Sequence, residues 1–429
     1  MKLEELQTEQ LQSVYREWMK DVETFKKKGL ALDMTRGKPC AAQLNHISGL
    51  TTILSETDFS SASGLDCRNY GLVSGLPEAK ALFANILGTS PRNIIVGGAS
   101  SLQLMYDSIS RALLFPEIDS EVSWIAEPNR KWLCPVPGYD RHFDVTRTLG
   151  FTLIPIPMTP NGPDMDMVES LVREDPTIKG IWCTPLYSNP DGIVYSEETC
   201  RRLAAMDTAA RDFRIFWDNA YVVHHLYTDC RGSIPDILAL CTEAGNPHRV
   251  YEFASTSKIT FAGAGISCIA TSSENVALAE KRIGMQTIGP DKMNQLRHVR
   301  YLQGENDIEH VMNRHADIIR PKFEKTLEIL ERDLAPAGVA RWNKPLGGYF
   351  ISLFVMPGTA KRTVALAKEL GVAFTPAGAT YPYGMDPEDE NIRIAPTFPS
   401  MEDVEQAIEI LCLCAKVSAA EKLLAESAN

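Results

Sequence analysis

Short apolar runs alternate with amphipathic stretches along most of the chain. The runs at 93–96, 121–126, 151–157, 180–184, 214–217 and 250–254 are rich in Val, Ile, Phe and Trp and show little alternation. That is the pattern of strands buried on both faces. Helix-length segments lie between them, one starting at Leu102 and one over 196–210. Strands alternating with helices predict an α/β fold, with a mostly parallel central sheet covered on both sides. At the start, Leu11, Val14, Tyr15, Trp18, Met19, Val22 and Phe25 fall at helical spacing and predict a helix over 3–28. It packs on the chain's own core or docks on a second subunit. After about residue 304 the pattern changes. A long helix is expected over 307–332, interrupted near Pro321, followed by an alternating strand after the turn at 342–348. A helix at 363–370, short strands at 372–374 and 391–395, and a closing helix over 401–424 complete the chain. The expected organisation is a large domain over 55–305, with a smaller α+β domain built from 1–54 and 306–429.

Composition narrows the class. The 429 residues are 44% hydrophobic and 23% charged, the balance of a globular protein with a large core. A net charge of -12 argues against nucleic acid or an anionic membrane as partner, while leaving room for a local cationic pocket. The ten cysteines form no CxxC pair or metal-ligand cluster and read as reduced thiols of a cytoplasmic protein. The first residues are acidic and lack an uninterrupted apolar core, so neither a signal nor a transit peptide is expected. No apolar run is long enough to span a bilayer.

Candidate chemistry gathers at the ends of the apolar runs. Ser255-Thr256-Ser257-Lys258 follows one of them. The carboxyl ends of strands are where α/β sheets bind ligands. A lysine partly withdrawn from water there loses its proton readily and attacks a carbonyl to form a Schiff base. Asn189 and the pair Asp218 and Tyr221 each follow another run, and one turn could aim Asp218 and Tyr221 at one ligand. Gly97-Gly98-Ala99-Ser100-Ser101 joins a strand to a helix, a geometry that offers N–H groups to a phosphate. Tyr139 stands in a proline-rich loop at 134–142, and Arg36 precedes Gly37 in an extended piece.

Taken together, these motifs resemble a known family. Tyr70-Gly71…Gly75-Leu76-Pro77, Gly98-Ala99-Ser100-Ser101, Pro137-Gly138-Tyr139, Ser188-Asn189-Pro190-Asp191-Gly192, Asp218-Asn219-Ala220-Tyr221, Ser255-Thr256-Ser257-Lys258 and Asn391-Ile392-Arg393 are similar to those of class I aminotransferases. These are pyridoxal-phosphate (PLP) dependent transferases of fold type I. The stretches Thr35-Arg36-Gly37-Lys38-Pro39 and 288–298 resemble the bacterial aspartate aminotransferase subgroup called type Ic. The resemblance implies that Lys258 holds pyridoxal 5'-phosphate as an aldimine and then shuttles a proton. It implies that Asp218 pairs with the pyridinium nitrogen, that Asn189 and Tyr221 bind the ring oxygen, and that Tyr139 stacks on the ring. Gly98, Ala99, Ser100, Ser101, Ser255 and Ser257 would form the cofactor site, and Tyr70 would reach the neighbouring subunit's phosphate in a homodimer with shared sites. Arg393 would clamp the substrate α-carboxylate, with Asn189 and Gly37 beside the substrate. The implied reaction moves the amino group of L-aspartate to 2-oxoglutarate by ping-pong chemistry. Transamination of alanine or an aromatic amino acid, a C–S or β-lyase, and a non-enzymatic regulator module are the alternatives. The last lacks a basic helix-turn-helix ahead of the fold.

Two positions depart from the family pattern. Ile266 stands where an arginine usually meets the phosphate, and Lys292 and Arg297 are candidate substitutes. No arginine matches the usual reader of the side-chain carboxylate near Met285 and Gln286, and Arg36 is the proposed replacement.

Overall fold

The computed structural model describes residues 2–427. Its centre is an eight-stranded sheet in the order Ile94–Val96, Ser267–Ala270, Val250–Ser255, Arg214–Asp218, Ile178–Cys183, Lys131–Val136, Thr152–Thr159 and Gly162–Pro163. The five strands from Val250–Ser255 to Thr152–Thr159 run parallel. Ser267–Ala270 is antiparallel to both its neighbours. Successive residues of these strands point to opposite faces. Thus Trp132, Trp182, Phe216 and Phe253 enter one apolar cluster, with residues of helices Ser101–Leu114 and Asp140–Thr148. Their chain neighbours Leu133, Ile181, Ile215 and Ala254 enter another, with residues of helices Pro77–Leu87, Met165–Glu174, Glu197–Ala205 and Ile237–Glu243. The double burial explains the near-continuous apolar runs.

A three-stranded antiparallel sheet, Ala340–Trp342, Ile351–Val355 and Asn391–Ile394, packs with helices Ile308–Asp333, Ala360–Glu369 and Met401–Ser427. The N-terminal segment joins it, because Leu32–Asp33 pairs in parallel with Val372–Ala373. The helix Thr8–Lys26 lies on Met401–Ser427: Tyr15 Oη donates to Glu421, and the Lys416 amine sits over the Trp18 ring. This is packing on the chain's own core.

Several elements differ from expectation. Residues 121–126 hold a 3-10 turn at Trp124–Ala126, and Val122 and Ile125 are exposed. The strand lies further on, at Lys131–Val136, in what reads as a proline-rich loop. Proline removes a ladder donor and is tolerated where pairing has ended. The ladder to Ile178–Cys183 registers Lys131, Trp132 and Leu133, so Pro135 lies beyond it and is registered on one side only, with Ile156 of Thr152–Thr159. Pro321 does not interrupt its helix, which runs unbroken over Ile308–Asp333. Pro321 and Asp317 are both on the solvent face, while the opposite face of the helix stays buried. The helix expected over 196–210 stops at Ala205. Among the described residues, no helix is long and apolar enough to cross a membrane, and no cluster of His, Cys, Asp and Glu is arranged for a metal.

Candidate active site

A cavity of about 600 Å³ opens at the carboxyl ends of the parallel strands. Twelve sequence candidates line it: Arg36, Gly37, Ser100, Ser101, Tyr139, Asn189, Asp218, Tyr221, Ser255, Ser257, Lys258 and Arg393. Tyr139, Asn189, Asp218, Tyr221, Ser255, Ser257 and Lys258 converge because parallel strands deliver their following loops to one edge, and Arg36, Gly37 and Arg393 meet them from the N-terminal segment and the smaller sheet.

Lys258 follows the strand Val250–Ser255 through a turn closed by Thr256, whose N–H donates to the Ile266 carbonyl at 2.8 Å. The Thr256 hydroxyl accepts from the Ile266 N–H at 3.0 Å. Asn294 Nδ2 reaches the carbonyls of Ala264 and Gly265, and His298 ties Thr260 to the same support. So anchored, the Lys258 amine lies 5.0 Å from the centre of the Tyr221 ring and 5.9 Å from that of Tyr349. Burial pushes its pKa below the ordinary lysine value, against the opposing attraction of Asp218. Burial likewise raises Tyr139 to about 12 and lifts Tyr221 well above the usual tyrosine value.

Asp218 ends a fully buried strand. Its Oδ2 meets His142 Nε2 at 2.9 Å, while Oδ1 is buried with no protein partner. His142 stacks on Trp182 and meets the edge of Tyr139. Sequence reasoning left His142 without a role. The only cue was its place three residues after Tyr139, one helical turn into Asp140–Thr148.

Arg393 stands on Asn391–Ile394, opposite Ser352. Its Nη1 donates to Asp140 Oδ1 at 2.9 Å and Asn189 Oδ1 at 3.3 Å, and its Nη2 to Thr375 Oγ1 at 3.3 Å. Thr375 in turn donates to the Thr35 carbonyl. The Phe350 ring lies 5.0 Å from the guanidinium, and a Cβ on Gly37 would come within 2.5 Å of that ring. Glycine at 37 is therefore a requirement of close approach. Asn189 follows Tyr187, a buried tyrosine at φ 54 whose hydroxyl is held by His225 and the Gly232 N–H. The surrounding contacts hold this left-handed residue in place.

The small-residue turn is pinned from behind. Ser257 Oγ donates to the Ala99 carbonyl at 3.0 Å and Ser267 Oγ to the Gly98 carbonyl at 2.7 Å. Gly98 and Ala99 lie behind the lining, with Ser100 capping the helix Ser101–Leu114 in front. Tyr70 does not reach this cavity; it is 78% exposed and borders a separate groove with Ile288. Ile266 is buried in the core. Lys292 spends its amine on the Gly71 carbonyl at 2.9 Å, and neither it nor Arg297 lines the cavity. Arg36 and Arg141 do line it, both exposed and without an ion pair among the described residues.

The family model for aspartate amino-transferase matches residues 6–427. An aspartate aminotransferase of Corynebacterium glutamicum is 46% identical over 419 residues, covering 98% of this chain and 96% of that protein. A solved aspartate transaminase of the same organism superimposes with a TM-score of 0.96 at 45% identity, over 98% of this chain and 99% of that one. An aspartate aminotransferase of Thermus thermophilus, solved with maleate, shares the fold with a TM-score of 0.67 at 17% identity, over 93% and 96% of the two chains. The structural neighbours are PLP aminotransferases, and the α/β architecture is that of fold type I. The chain belongs to the aspartate aminotransferase family.

Proposed function

We propose that the protein is a pyridoxal-phosphate-dependent aminotransferase that moves the amino group of L-aspartate to 2-oxoglutarate. The observation that carries this reading is the convergence of the Lys258 amine, the unpartnered Asp218 oxygen and the Arg393 guanidinium on one cavity. The residues suit the cofactor's chemistry. An aldehyde needs an amine of lowered proton affinity, a pyridinium nitrogen needs a buried carboxylate, and a phosphate needs hydroxyls and a helix start. Lys258, Asp218 Oδ1, and Ser100, Ser101, Ser255 and Ser257 supply them in turn. When bound, the cofactor provides an electron sink for the bond being broken at the substrate Cα.

The chain's own residues do the rest. Lys258 Nζ takes the proton from the substrate Cα, and its lowered pKa leaves more of it neutral for that task. Asp218 holds a proton on the ring nitrogen, and His142 fixes the carboxylate's rotation. Tyr139 would cover the ring face, and Asn189 and Tyr221 would bind its oxygen, all three lining the cavity. Arg393 takes the substrate α-carboxylate, while Arg36, exposed at the cavity mouth, reads the side-chain carboxylate. Residues 55–305 act as the cofactor-binding domain, and 1–54 with 306–429 as the smaller one. A cytoplasmic homodimer completes the reading. The exposed Tyr70, which borders a groove with the also exposed Ile288, would reach the partner's phosphate site.

The test is an absorbance spectrum of the purified protein. A visible cofactor band lost on adding L-aspartate and restored by 2-oxoglutarate is expected, and reports both half-reactions. A band indifferent to aspartate overturns the substrate; no band after adding pyridoxal phosphate overturns the cofactor.

A further inference from the structure

The Arg393 guanidinium has a carboxylate partner within its own chain. Asp140 Oδ1 accepts from Nη1 at 2.9 Å, and the two side chains are 30% and 7% exposed respectively. Arg393 Nε is buried without a partner, and Nη2 is shared with Thr375. The Phe350 ring covers the group. A carboxylate binds arginine best across two adjacent N–H groups. With Nε buried, the Nη1 and Nη2 fork is the one left for a ligand, and Asp140 occupies its Nη1, which also donates to Asn189 Oδ1 at 3.3 Å.

Asp140 is free to leave. Arg393 is the only partner of its side chain among the described residues, and a third of that side chain faces solvent. It is also the first residue of the helix Asp140–Thr148, where the helix N-terminus favours a negative charge without any particular partner. Arg393, by contrast, is deeply buried, and a buried cation without a counter-charge is costly.

We propose that Asp140 is an internal carboxylate that competes with the substrate's α-carboxylate for Arg393, so that substrate binding is an exchange of one carboxylate for another. This rests on reading Arg393 as the α-carboxylate clamp. The exchange keeps Arg393 neutralised throughout the cycle. It also makes the site select against amines: a substrate without a carboxylate gives Arg393 nothing in return for Asp140.

The experiment is calorimetric titration of the cofactor-loaded enzyme with maleate, an unreactive dicarboxylate, in Asp140→Asn and Asp140→Ser variants. Removing the competitor is expected to tighten maleate binding about tenfold or more in both, with a parallel fall in KM for aspartate and a smaller change in kcat. A merely structural role for Asp140 would weaken binding instead. Unchanged or weaker affinity in the folded variants overturns the proposal. Failure of both variants to fold overturns it as well, because an exchangeable carboxylate holds no part of the fold. Arg393→Gln separates the two readings: if it leaves maleate affinity unchanged in the parent enzyme, the clamp assignment itself fails, whatever Asp140 does.

Discussion

His142 donates from Nε2 to Asp218 Oδ2 across 2.9 Å, and the same imidazole lies flat on Trp182 with ring centroids 4.3 Å apart. The stacked indole fixes the ring plane, and the ring fixes the carboxylate's rotation. Asp218 Oδ1 is thereby turned away from His142 and remains without a protein partner. His142→Asn is expected to weaken cofactor binding by roughly ten- to a hundred-fold, the worth of one hydrogen bond to a charged group. Titration of the cofactor-free protein, followed by the visible band, measures it. Unaltered affinity would leave His142 as packing alone.

Lys258→Ala is expected to retain the fold and bind the cofactor without the band of the lysine-bound form. Its turnover should fall by at least about 10²–10⁴-fold, the usual worth of a positioned proton-transfer group. Rapid-mixing absorbance with aspartate checks this. A variant that still exchanges protons at the substrate Cα at the parent rate would remove Lys258 from that role.

Arg393→Ala is expected to cost about 2–5 kcal/mol in kcat/KM for aspartate, since it leaves the carboxylates around it unpaired. Steady-state kinetics with aspartate and 2-oxoglutarate measure it. An unchanged KM would reject the clamp.

Gly37→Ala is expected to destabilise the fold by about 1–3 kcal/mol, because the new methyl must displace the Phe350 ring that packs beside Arg393. A lower Tm together with a higher KM for aspartate is the expected pair of results. An unchanged Tm would mean that the ring yields freely.

The support of the lysine loop carries a pH dependence. Burial pushes His298 down to about 4 in the folded chain, while its unfolded value is about 6.5. The folded state therefore favours the neutral ring. This contribution to stability is complete above about pH 6.5 and is lost progressively as pH falls towards about 4. His315, also depressed to about 4 chiefly by burial, acts in the same direction. Urea midpoints at pH 7 and pH 5 should differ less in His298→Gln than in the parent. An equal pH slope in both would exclude His298 from the effect.

How far the site was legible depended on the backbone. Asn189, Asp218, Tyr221 and Lys258 could be placed together because each follows an apolar run, and parallel strands carry their loops to one edge. Arg393 came from the resemblance and from its place on a short strand. His142 and Asp140 lacked such a marker. Both sit at the start of a helix whose preceding strand, Lys131–Val136, was hidden by its prolines. With that strand misplaced at 121–126, nothing indicated that Asp140 lines the cavity or that His142 backs Asp218. The continuous helix through Pro321 was missed for a related reason: a local rule was outweighed by burial along the opposite face.

The sequence by itself determined the α/β class, the strands buried on both faces and the residues able to do the chemistry, because burial periodicity and side-chain type are local properties of the chain. The tertiary structure decided the pairings. Asp218 with His142, Arg393 with Asp140, and Gly37 against Phe350 each join segments tens to hundreds of residues apart. So too did it separate Lys292 from the cavity by committing its amine to Gly71. Such contacts depend on how sheets and helices stack, and on which side chain reaches a buried charge, neither of which a linear pattern encodes.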